Sequence, residues 1–234
     1  MNDHQEFKTF LNLGSENFLI TVFDQNNNKI YEDKFFKEKN INEINDDELL
    51  NNFLDKNIFK IEKLTDNYIK KINLVIDKDI FTSTQVSIKQ KSYGKKITFF
   101  EMKQMLSEIR ELIKENNSDH SVIHMLIENY VINGQTHKNL DIELNCDDLI
   151  LEIQFVCLTH KFVKSLNDKF KSYQIEIRQI FAGSYVRNFT NRLDLSINEM
   201  AFKIMNGENL NEVKIISKNP TKKGFFEKFF NLFS

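Results

Sequence analysis

Short apolar stretches separated by polar turns dominate the beginning of the chain, and this pattern predicts strands. The residues 10–23 form two apolar stretches around the turn LNLGS, and IYEDKFF follows the polar segment QNNNK as a returning strand. ELLNNFLDKNIF then has helical spacing, with Asp46 or Asp47 available as a cap. A second helical segment is predicted from the spacing of Ile61, Leu64, Tyr68, Ile69 and Ile72, and it leads into the short apolar strand 72–76. The order predicted for this portion is strand, strand, helix, strand.

The middle of the chain mixes both periodicities. Residues 82–91 alternate as a strand does, and the Ser-Tyr-Gly that follows predicts a turn. A helix is expected from Ile97, where Thr98 and Glu101 have capping-box spacing. Two strands are predicted around the Asn133-Gly134 turn, and DDLILEIQFVCLT predicts a long strand that is buried on at least one side.

The remaining pattern predicts a helix over 160–171, a strand over 174–181 and a short helix through Tyr185 and Phe189. LSINEMAFKIMNG predicts one more amphipathic helix, which Gly207 ends. ENLNEVKIISKNPTKKG has the composition of an extended polar connector. The mixture of strands and helices predicts an α/β (α+β) fold.

Composition excludes several classes of protein. The 41% hydrophobic and 28% charged fractions are those of a soluble globular protein. Because 32 Lys and Arg nearly balance 34 Asp and Glu, no global field attracts nucleic acid, and no nucleic-acid partner is expected. The N-terminus is too polar for a signal peptide, and no apolar run is long enough to span a membrane. Cys146 and Cys157 are predicted to be free thiols in a reducing compartment, so a cytoplasmic location is expected.

The sequence contains no recognisable catalytic constellation. Its five histidines form no HExxH motif, and a structural role is expected for His124 because it lies within an apolar strand. LNLGSEN lacks the Gly-Lys-Ser/Thr ending of a phosphate-binding P-loop. We therefore expect no catalytic residue, no metal site and no enzymatic activity.

The last eleven residues, GFFEKFFNLFS, contain five of the 22 phenylalanines of the chain. At about 100° per residue, the six apolar side chains fall within an arc of roughly 160° on a helix. Lys222 and Lys223 precede this face, and Pro220 separates it from the connector. The segment is predicted to be an interfacial membrane helix. Its predicted membrane-binding residues are Lys222, Lys223, Phe225, Phe226, Lys228, Phe229, Phe230, Leu232 and Phe233.

Magnitudes limit how strongly one such helix can bind. Burial of six large apolar side chains would contribute roughly 15 kcal/mol, but ordering a free terminal segment costs on the order of 1–2 kcal/mol per residue. One copy should therefore bind weakly and reversibly, and clustering should make attachment firm. Two alternatives stay open: the helix docks on the protein's own core, or the protein is a soluble adaptor whose Phe-rich helix docks in a partner's groove.

The order of these pieces resembles the FtsA family of actin-like bacterial cell-division proteins. The segments SVIHMLIENYVINGQTHKNLDIEL and DDLILEIQFVCLT are similar to the small inserted subdomain of that family. LNLGSENFLITVFDQNNNKI is similar to its first phosphate hairpin, and QIEIRQIFAGSYVRNF to a later strand–helix unit. The Phe-rich terminal segment after a linker is the last point of resemblance, since FtsA reaches the membrane through an amphipathic tail of this kind.

Two departures from the family change what the resemblance implies. Asn12 and Leu13 precede Gly14, where the family has an Asp before its Gly, so the hairpin Asn12, Gly14 and Ser15 is degenerate. The chain also ends where the second phosphate motif and the second actin-like half of the family would begin. The expectation is that ATP does not bind and that no cofactor is needed. A degenerate ATPase completed by a second chain is the enzymatic alternative.

The resemblance implies a division of the chain into four parts. Residues 1–78 and 160–192 would form an incomplete actin-like subdomain, 79–159 the FtsA-type insertion, 193–221 a helix and polar linker, and 222–234 the membrane-targeting helix. The expected partners are the inner membrane surface and divisome proteins, with FtsZ or self-assembly among the candidates. The expected location is the cytoplasmic face of the cell membrane at the division site, and the expected role is that of a non-enzymatic, membrane-tethered assembly factor.

Overall fold

A computed structural model describes residues 7–37, 46–139, 145–189 and 194–214. These residues form nine strands and five α-helices. The elements in chain order are β1 (Lys8–Gly14), β2 (Asn17–Phe23), β3 (Lys29–Phe36), α1 (Asp46–Thr65), β4 (Lys71–Asp77), β5 (Thr82–Lys96), α2 (Phe99–Asn116), β6 (His120–Ile132), β7 (Gln135–His137), β8 (Asn145–Thr159), α3 (His160–Ser172), β9 (Glu176–Ala182), α4 (Gly183–Phe189) and α5 (Ile197–Met205).

The first sheet has five strands in the order β3-β2-β1-β4-β9. β1, β2 and β3 pair antiparallel, whereas β4 and β9 run parallel to β1. A parallel neighbour needs a crossover connection, and α1 supplies it between β3 and β4. The sheet therefore changes from antiparallel to parallel at β1.

The central strands are buried on both faces, as expected of a sheet that helices cover on each side. Six of the seven residues of β1 are buried, and five of the seven in β4. On one face, α1 and α3 contribute Phe53, Leu54, Ile61 and Phe170 to a core with Leu74 and other sheet residues. This explains why the apolar runs of β1 and β4 are nearly continuous instead of alternating.

Aromatic rings fill the other face of the sheet, beneath α4 and α5. Phe202 of α5 stacks on Phe23 at 4.1 Å between ring centroids and meets Phe10 edge to face at 5.8 Å. Asn198, which is fully buried, donates from Nδ2 to the Leu19 carbonyl oxygen at 2.9 Å and to Thr21 Oγ1 at 3.0 Å. A capping box between Ser196 and Glu199 begins α5. The helix is thus held to β2 both by ring packing and by a polar anchor.

A second sheet of four strands has the order β5-β8-β6-β7. The described residues divide into two compact units, one within 7–84, 117–124 and 155–210, the other within 85–116, 125–154 and 211–214. In the second unit, α2 buries one apolar stripe: Met105, Leu106, Ile109 and Ile113. The predicted FtsA-type insertion, 79–159, overlaps this second unit, and its boundaries stay predictions.

Several local expectations agree with the structure. The mixed α+β class is confirmed. Thr98 and Glu101 form the predicted capping box, in which the Thr98 N–H donates to Glu101 Oε2 at 2.9 Å and the Glu101 N–H to Thr98 Oγ1 at 3.2 Å. Asn133 and Gly134 both have positive φ, as the predicted turn between β6 and β7 requires. Cys146 and Cys157 are buried and free.

Three expectations were wrong in detail. The two helical segments predicted before β4 are one helix, α1, which ends at Thr65, so Tyr68 lies outside it. The Ser-Tyr-Gly predicted as a turn lies within β5, where Tyr93 and Gly94 take positive φ without ending the strand. Part of the expected polar connector pairs with β6: the Val213 N–H donates to the Met125 carbonyl oxygen at 2.8 Å.

The predicted membrane helix, 222–234, lies outside the described residues. None of the helices that the structure describes is both long enough and apolar enough to cross a membrane.

Candidate functional site

The carboxyl ends of the three parallel strands meet at one edge of the first sheet. β1 ends at Gly14, which is paired with Asp77 at the end of β4, and β9 ends beside β4 just before Gly183. In sheets of this kind, ligands generally bind beyond the carboxyl ends of the strands. This edge is therefore the candidate functional site, and it includes the degenerate hairpin singled out in the sequence.

The hairpin between β1 and β2 uses its polar groups within the protein. Asn12 is buried, and its Nδ2 lies 3.4 Å from Asn17 Oδ1. The Ser15 N–H donates to the Asp77 carbonyl oxygen at 3.3 Å. A side chain at Gly14 would place its Cβ 2.8 Å from the Asn17 carbonyl oxygen, so the turn needs a glycine. The backbone donor of Ser15, which a phosphate hairpin would direct at its ligand, is thus paired with β4.

Two lysines and one aspartate form an ion-pair cluster next to the hairpin. Lys37 Nζ donates to the Gly14 carbonyl oxygen and to Asp46 Oδ2, both at 3.0 Å. Lys78 Nζ lies 2.9 Å from the same Asp46 oxygen. Lys37 also lies over the ring of Phe18, 4.4 Å from its centroid, and its side chain is only 11% exposed. The cluster therefore connects β1, the first turn of α1 and the segment after β4.

Burial and the neighbouring charges act on the pKa of Asp46 in opposite directions. Partial burial raises the pKa of the Asp46 carboxyl, but hydrogen bonds and positive charge from Lys78 and Lys37 lower the pKa by more. The net result is a pKa below the usual range for aspartate. The position of Asp46 at the start of α1 also favours the carboxylate, because helix N-termini carry partial positive charge.

Asp77 forms the second ion pair of the edge. Arg187 of α4 holds it through two hydrogen bonds, from Nε to Oδ1 at 3.1 Å and from Nη2 to Oδ2. Gly183 allows α4 this close to β4, since a Cβ at residue 183 would lie 2.6 Å from Asp77 Oδ1. Three cations at this edge are thus paired with carboxylates: Lys37 and Lys78 contact Asp46, and Arg187 contacts Asp77.

His124 stabilises the backbone next to this edge. The ring is buried, its Nε2 accepts the Ala182 N–H at 3.0 Å, and its centroid lies 4.5 Å from that of Tyr185. An accepting Nε2 requires the neutral ring with its proton on Nδ1. This position agrees with the structural role predicted for His124.

The structure brings Asn12, Gly14 and Ser15 together, as their sequence spacing required. Sequence reasoning missed the partners that surround them. The sequence did contain a signal for two of these partners. Asp77 follows the apolar run 72–76, and Gly183 follows the strand that ends at Ala182. The missed residues are Lys37, Asp46, Asp77, Lys78, Gly183 and Arg187. Within the described part of the chain, no group of three His, Cys, Asp or Glu residues is arranged to hold a metal ion.

Comparison with protein-family models and with curated protein sequences gives no match. Several solved structures resemble the chain. The PilM–PilN type IV pilus biogenesis complex matches with 5% identity and a TM-score of 0.46 over 78% of this chain and 49% of that one. The cytoplasmic domain of EpsL, an inner-membrane component of the type II secretion system of Vibrio cholerae, matches with 10% identity and a TM-score of 0.38 over 77% and 58%.

The third structure is the ethanolamine utilization protein EutJ from Carboxydothermus hydrogenoformans, with 14% identity and a TM-score of 0.27 over 32% of this chain and 28% of that one. The chain thus spans about half the length of the first two proteins. These likenesses are too loose to identify a family. The strand order of the chain itself, three antiparallel strands followed by two parallel ones, agrees with the mixed strand–helix class expected from the sequence.

Replacement of Asp46 by Asn should lower the free energy of unfolding at pH 7 by no more than about 1 kcal/mol, because the pair is partly exposed and screened. The folded pKa of Asp46 is lowered, so its contribution is complete above the unfolded pKa of about 3.9 and is lost as the pH falls through the folded value. Urea unfolding of wild type and Asp46→Asn from neutral to strongly acidic pH measures this difference.

The matched control is Asp168→Asn, which removes an exposed carboxylate from α3. It should leave stability nearly unchanged at every pH. A gap between wild type and Asp46→Asn that stays constant into strong acid would contradict the ion-pair explanation.

Proposed function

We propose that this chain is a non-enzymatic, membrane-tethered assembly factor of the FtsA kind. The observation that carries the proposal is the edge of the first sheet where the parallel strands end, because the polar groups there that could meet a phosphate are paired within the chain. The Ser15 amide is bonded to β4, and the ion pairs of Asp46 and Asp77 engage three cations. An α/β body with such an edge is suited to present surfaces to partners.

The chemistry of the hairpin supports the absence of nucleotide binding. Asn12 provides an amide where the FtsA family has a carboxylate, and a neutral amide is a poorer organiser of a hydrated divalent cation than a carboxylate. A phosphate would also have to displace Asp46 from Lys37 and Lys78, or Asp77 from Arg187, before these cations could bind it. Each displacement would give up an existing ion pair, which opposes binding by the modest amount that a partly exposed pair contributes.

The Phe-rich C-terminus supports the membrane part of the proposal. On a helix its six apolar side chains would share one face, and Lys222 and Lys223 would be placed to meet anionic headgroups. The polar residues Glu227, Lys228, Asn231 and Ser234 would lie on the remaining face. We propose that 222–234 binds in the interface of the inner leaflet while the α/β body stays in the cytoplasm.

The finer part of the proposal concerns place and partners. The resemblance of 79–159 to the inserted FtsA subdomain makes this portion the proposed face for divisome contacts at the division site. FtsZ is one candidate partner and a second copy of the chain is another. The proposal assigns the tail to attachment and the α/β body to recognition.

Titration of ATP with Mg²⁺ into the full chain should give no binding heat, because Asn12 and the ion pairs oppose phosphate binding. Isothermal calorimetry makes this measurement directly, and ADP provides a second nucleotide. Micromolar binding of either nucleotide would overturn this part of the proposal, most clearly if Lys37→Ala abolished the heat.

The double substitution Phe226→Asp/Phe230→Asp should prevent flotation of the protein with liposomes, because it places two charges in the centre of the apolar face. Flotation on vesicles that contain anionic lipid measures the effect. Asn231→Asp/Ser234→Asp is the matched control, since it adds the same charge to the polar face and should still float. Equal flotation of wild type and the Phe variant would remove the basis for a membrane helix, and tail-dependent binding to protein alone would favour the adaptor.

A fluorescently tagged copy should form bands at midcell in dividing cells, and a copy without the last ten residues should become diffuse. The reason is that attachment and recognition are assigned to different parts of the chain. Fluorescence microscopy at matched expression levels tests both parts. Uniform membrane staining would contradict the division-site assignment while keeping the membrane helix.

A further inference from the structure

β3 forms the outer edge of the first sheet. It is the last strand on its side in the order β3-β2-β1-β4-β9, and no other strand in the described ranges pairs with its outer edge. Such an edge presents unpaired backbone donors and acceptors to any further strand. Three large apolar side chains near it are also exposed: Ile30 at 39%, Phe35 at 37% and Phe36 at 64%.

The side chains of β3 are arranged almost symmetrically around Asp33. The strand reads Lys-Ile-Tyr-Glu-Asp-Lys-Phe-Phe, with an acid before the central Asp and a base after it, and apolar or aromatic residues further out on both sides. In an antiparallel pair with a second copy centred on Asp33, Glu32 lies opposite Lys34 twice. In the same register, Tyr31 lies opposite Phe35 and Ile30 opposite Phe36, again twice each. Opposite charges and aromatic pairs at such positions stabilise a sheet.

The neighbouring registers are poorer. A two-fold axis perpendicular to the sheet places side chains from the same face of the two copies opposite each other. The two nearest alternative registers are therefore those in which the axis passes through Glu32 or Lys34 instead of Asp33. A centre at Glu32 places Glu32 against itself and Ile30 against Lys34. A centre at Lys34 places Lys34 against itself and Glu32 against Phe36. Only the centre at Asp33 matches both charge and apolar character.

Two contacts in this register are unfavourable: Asp33 lies opposite itself, and at each end Lys29 lies opposite Lys37. Lys29 is already paired with Glu32 and Glu199, and Lys37 with Asp46. The central Asp33 pair is likewise offset within each chain. Lys56 of α1 lies 3.0 Å from Asp33 Oδ2, so each aspartate brings its own cation. Asp33 Oδ1 accepts the Lys34 N–H at 3.1 Å, a bond that a second strand would have to replace with one of its own carbonyls. The charge at the centre is therefore largely neutralised before two copies meet.

The other long edge, β5, is not suited to pair with itself. Lys89 and Lys91 project from an exposed side of this strand, and Lys95 and Lys96 follow. Lysine on an edge strand is a common device against pairing. β3 has no such excess, because its two lysines are matched by Glu32 and Asp33.

We propose that β3 pairs antiparallel with β3 of a second copy, around a two-fold axis at Asp33, so that one sheet continues through both molecules. The partner is this same chain, recognised by the Glu32–Lys34 pairs and by the apolar residues that flank them. The inference concerns the α/β body and does not depend on membrane attachment or on the division site. Its consequence for the proposed function is that each dimer carries two C-terminal tails.

Sedimentation velocity of the full chain over a wide concentration range should show a monomer–dimer equilibrium. Glu32→Lys places Lys opposite Lys34 at two positions, and Lys34→Glu places Glu opposite Glu32 at two positions. Each variant alone should dimerise roughly tenfold more weakly or worse. An equimolar mixture of the two should recover the dimer, since every cross-strand charge pair is then opposite again.

Recovery in the mixture excludes misfolding as the cause of the loss, which matters because Glu32 also contacts Lys29 and Thr21 within its own chain. Phe36→Asp should weaken the dimer as well, whereas Phe100→Asp should not, because this phenylalanine, which is also largely exposed, lies in the other unit. A wild-type chain that stays monomeric at every concentration would overturn the proposal. So would a mixture no more dimeric than its two components.

Discussion

The parallel pairing of β1 with β4 is the contact on which the rest of the first unit depends. β1 has an antiparallel neighbour on one side and a parallel one on the other, and both of its faces are buried. Asn73 of β4 strengthens the pairing by donating from Nδ2 to the Thr9 carbonyl oxygen at 3.1 Å. The pairing forces α1 to cross the sheet and aligns Gly14 with Asp77. It therefore creates both the hydrophobic core and the edge at which a ligand would bind.

At that edge, ion pairs within the chain and a bound anion would compete for the same cations. Lys37 and Lys78 are held by one carboxylate, and Arg187 by another. These contacts lie within one chain, whereas a free anion would lose translational freedom on binding, so the internal carboxylates have the advantage. Partly exposed pairs contribute little to stability individually. Their effect here is positional, because they connect the hairpin, the start of α1 and α4 around the ends of the parallel strands. The same contacts that oppose a ligand thus give the body a defined surface.

Local signals predicted much of this fold, and long-range contacts explain what they missed. The Thr98–Glu101 capping box and the Asn133-Gly134 turn depend on neighbouring residues, so sequence spacing was sufficient. The turn predicted at Tyr93-Gly94 failed because pairing in the sheet continues past two residues with positive φ. At the candidate site, the hairpin could be found from its glycine. The Lys37–Asp46–Lys78 cluster could not, because only the packing of α1 brings these three positions together.

Self-pairing through β3 and membrane binding through the tail would each be weak alone, and each would strengthen the other. A single tail gains from burial little more than it loses on ordering, so small changes decide whether it binds. Once one tail of a β3 dimer is bound, the second is confined near the membrane, and its binding becomes an intramolecular step. The proposed membrane attachment would in turn concentrate the chains in two dimensions and favour further β3 pairing. Attachment would then depend steeply on local concentration, as expected of a factor that acts only where copies gather.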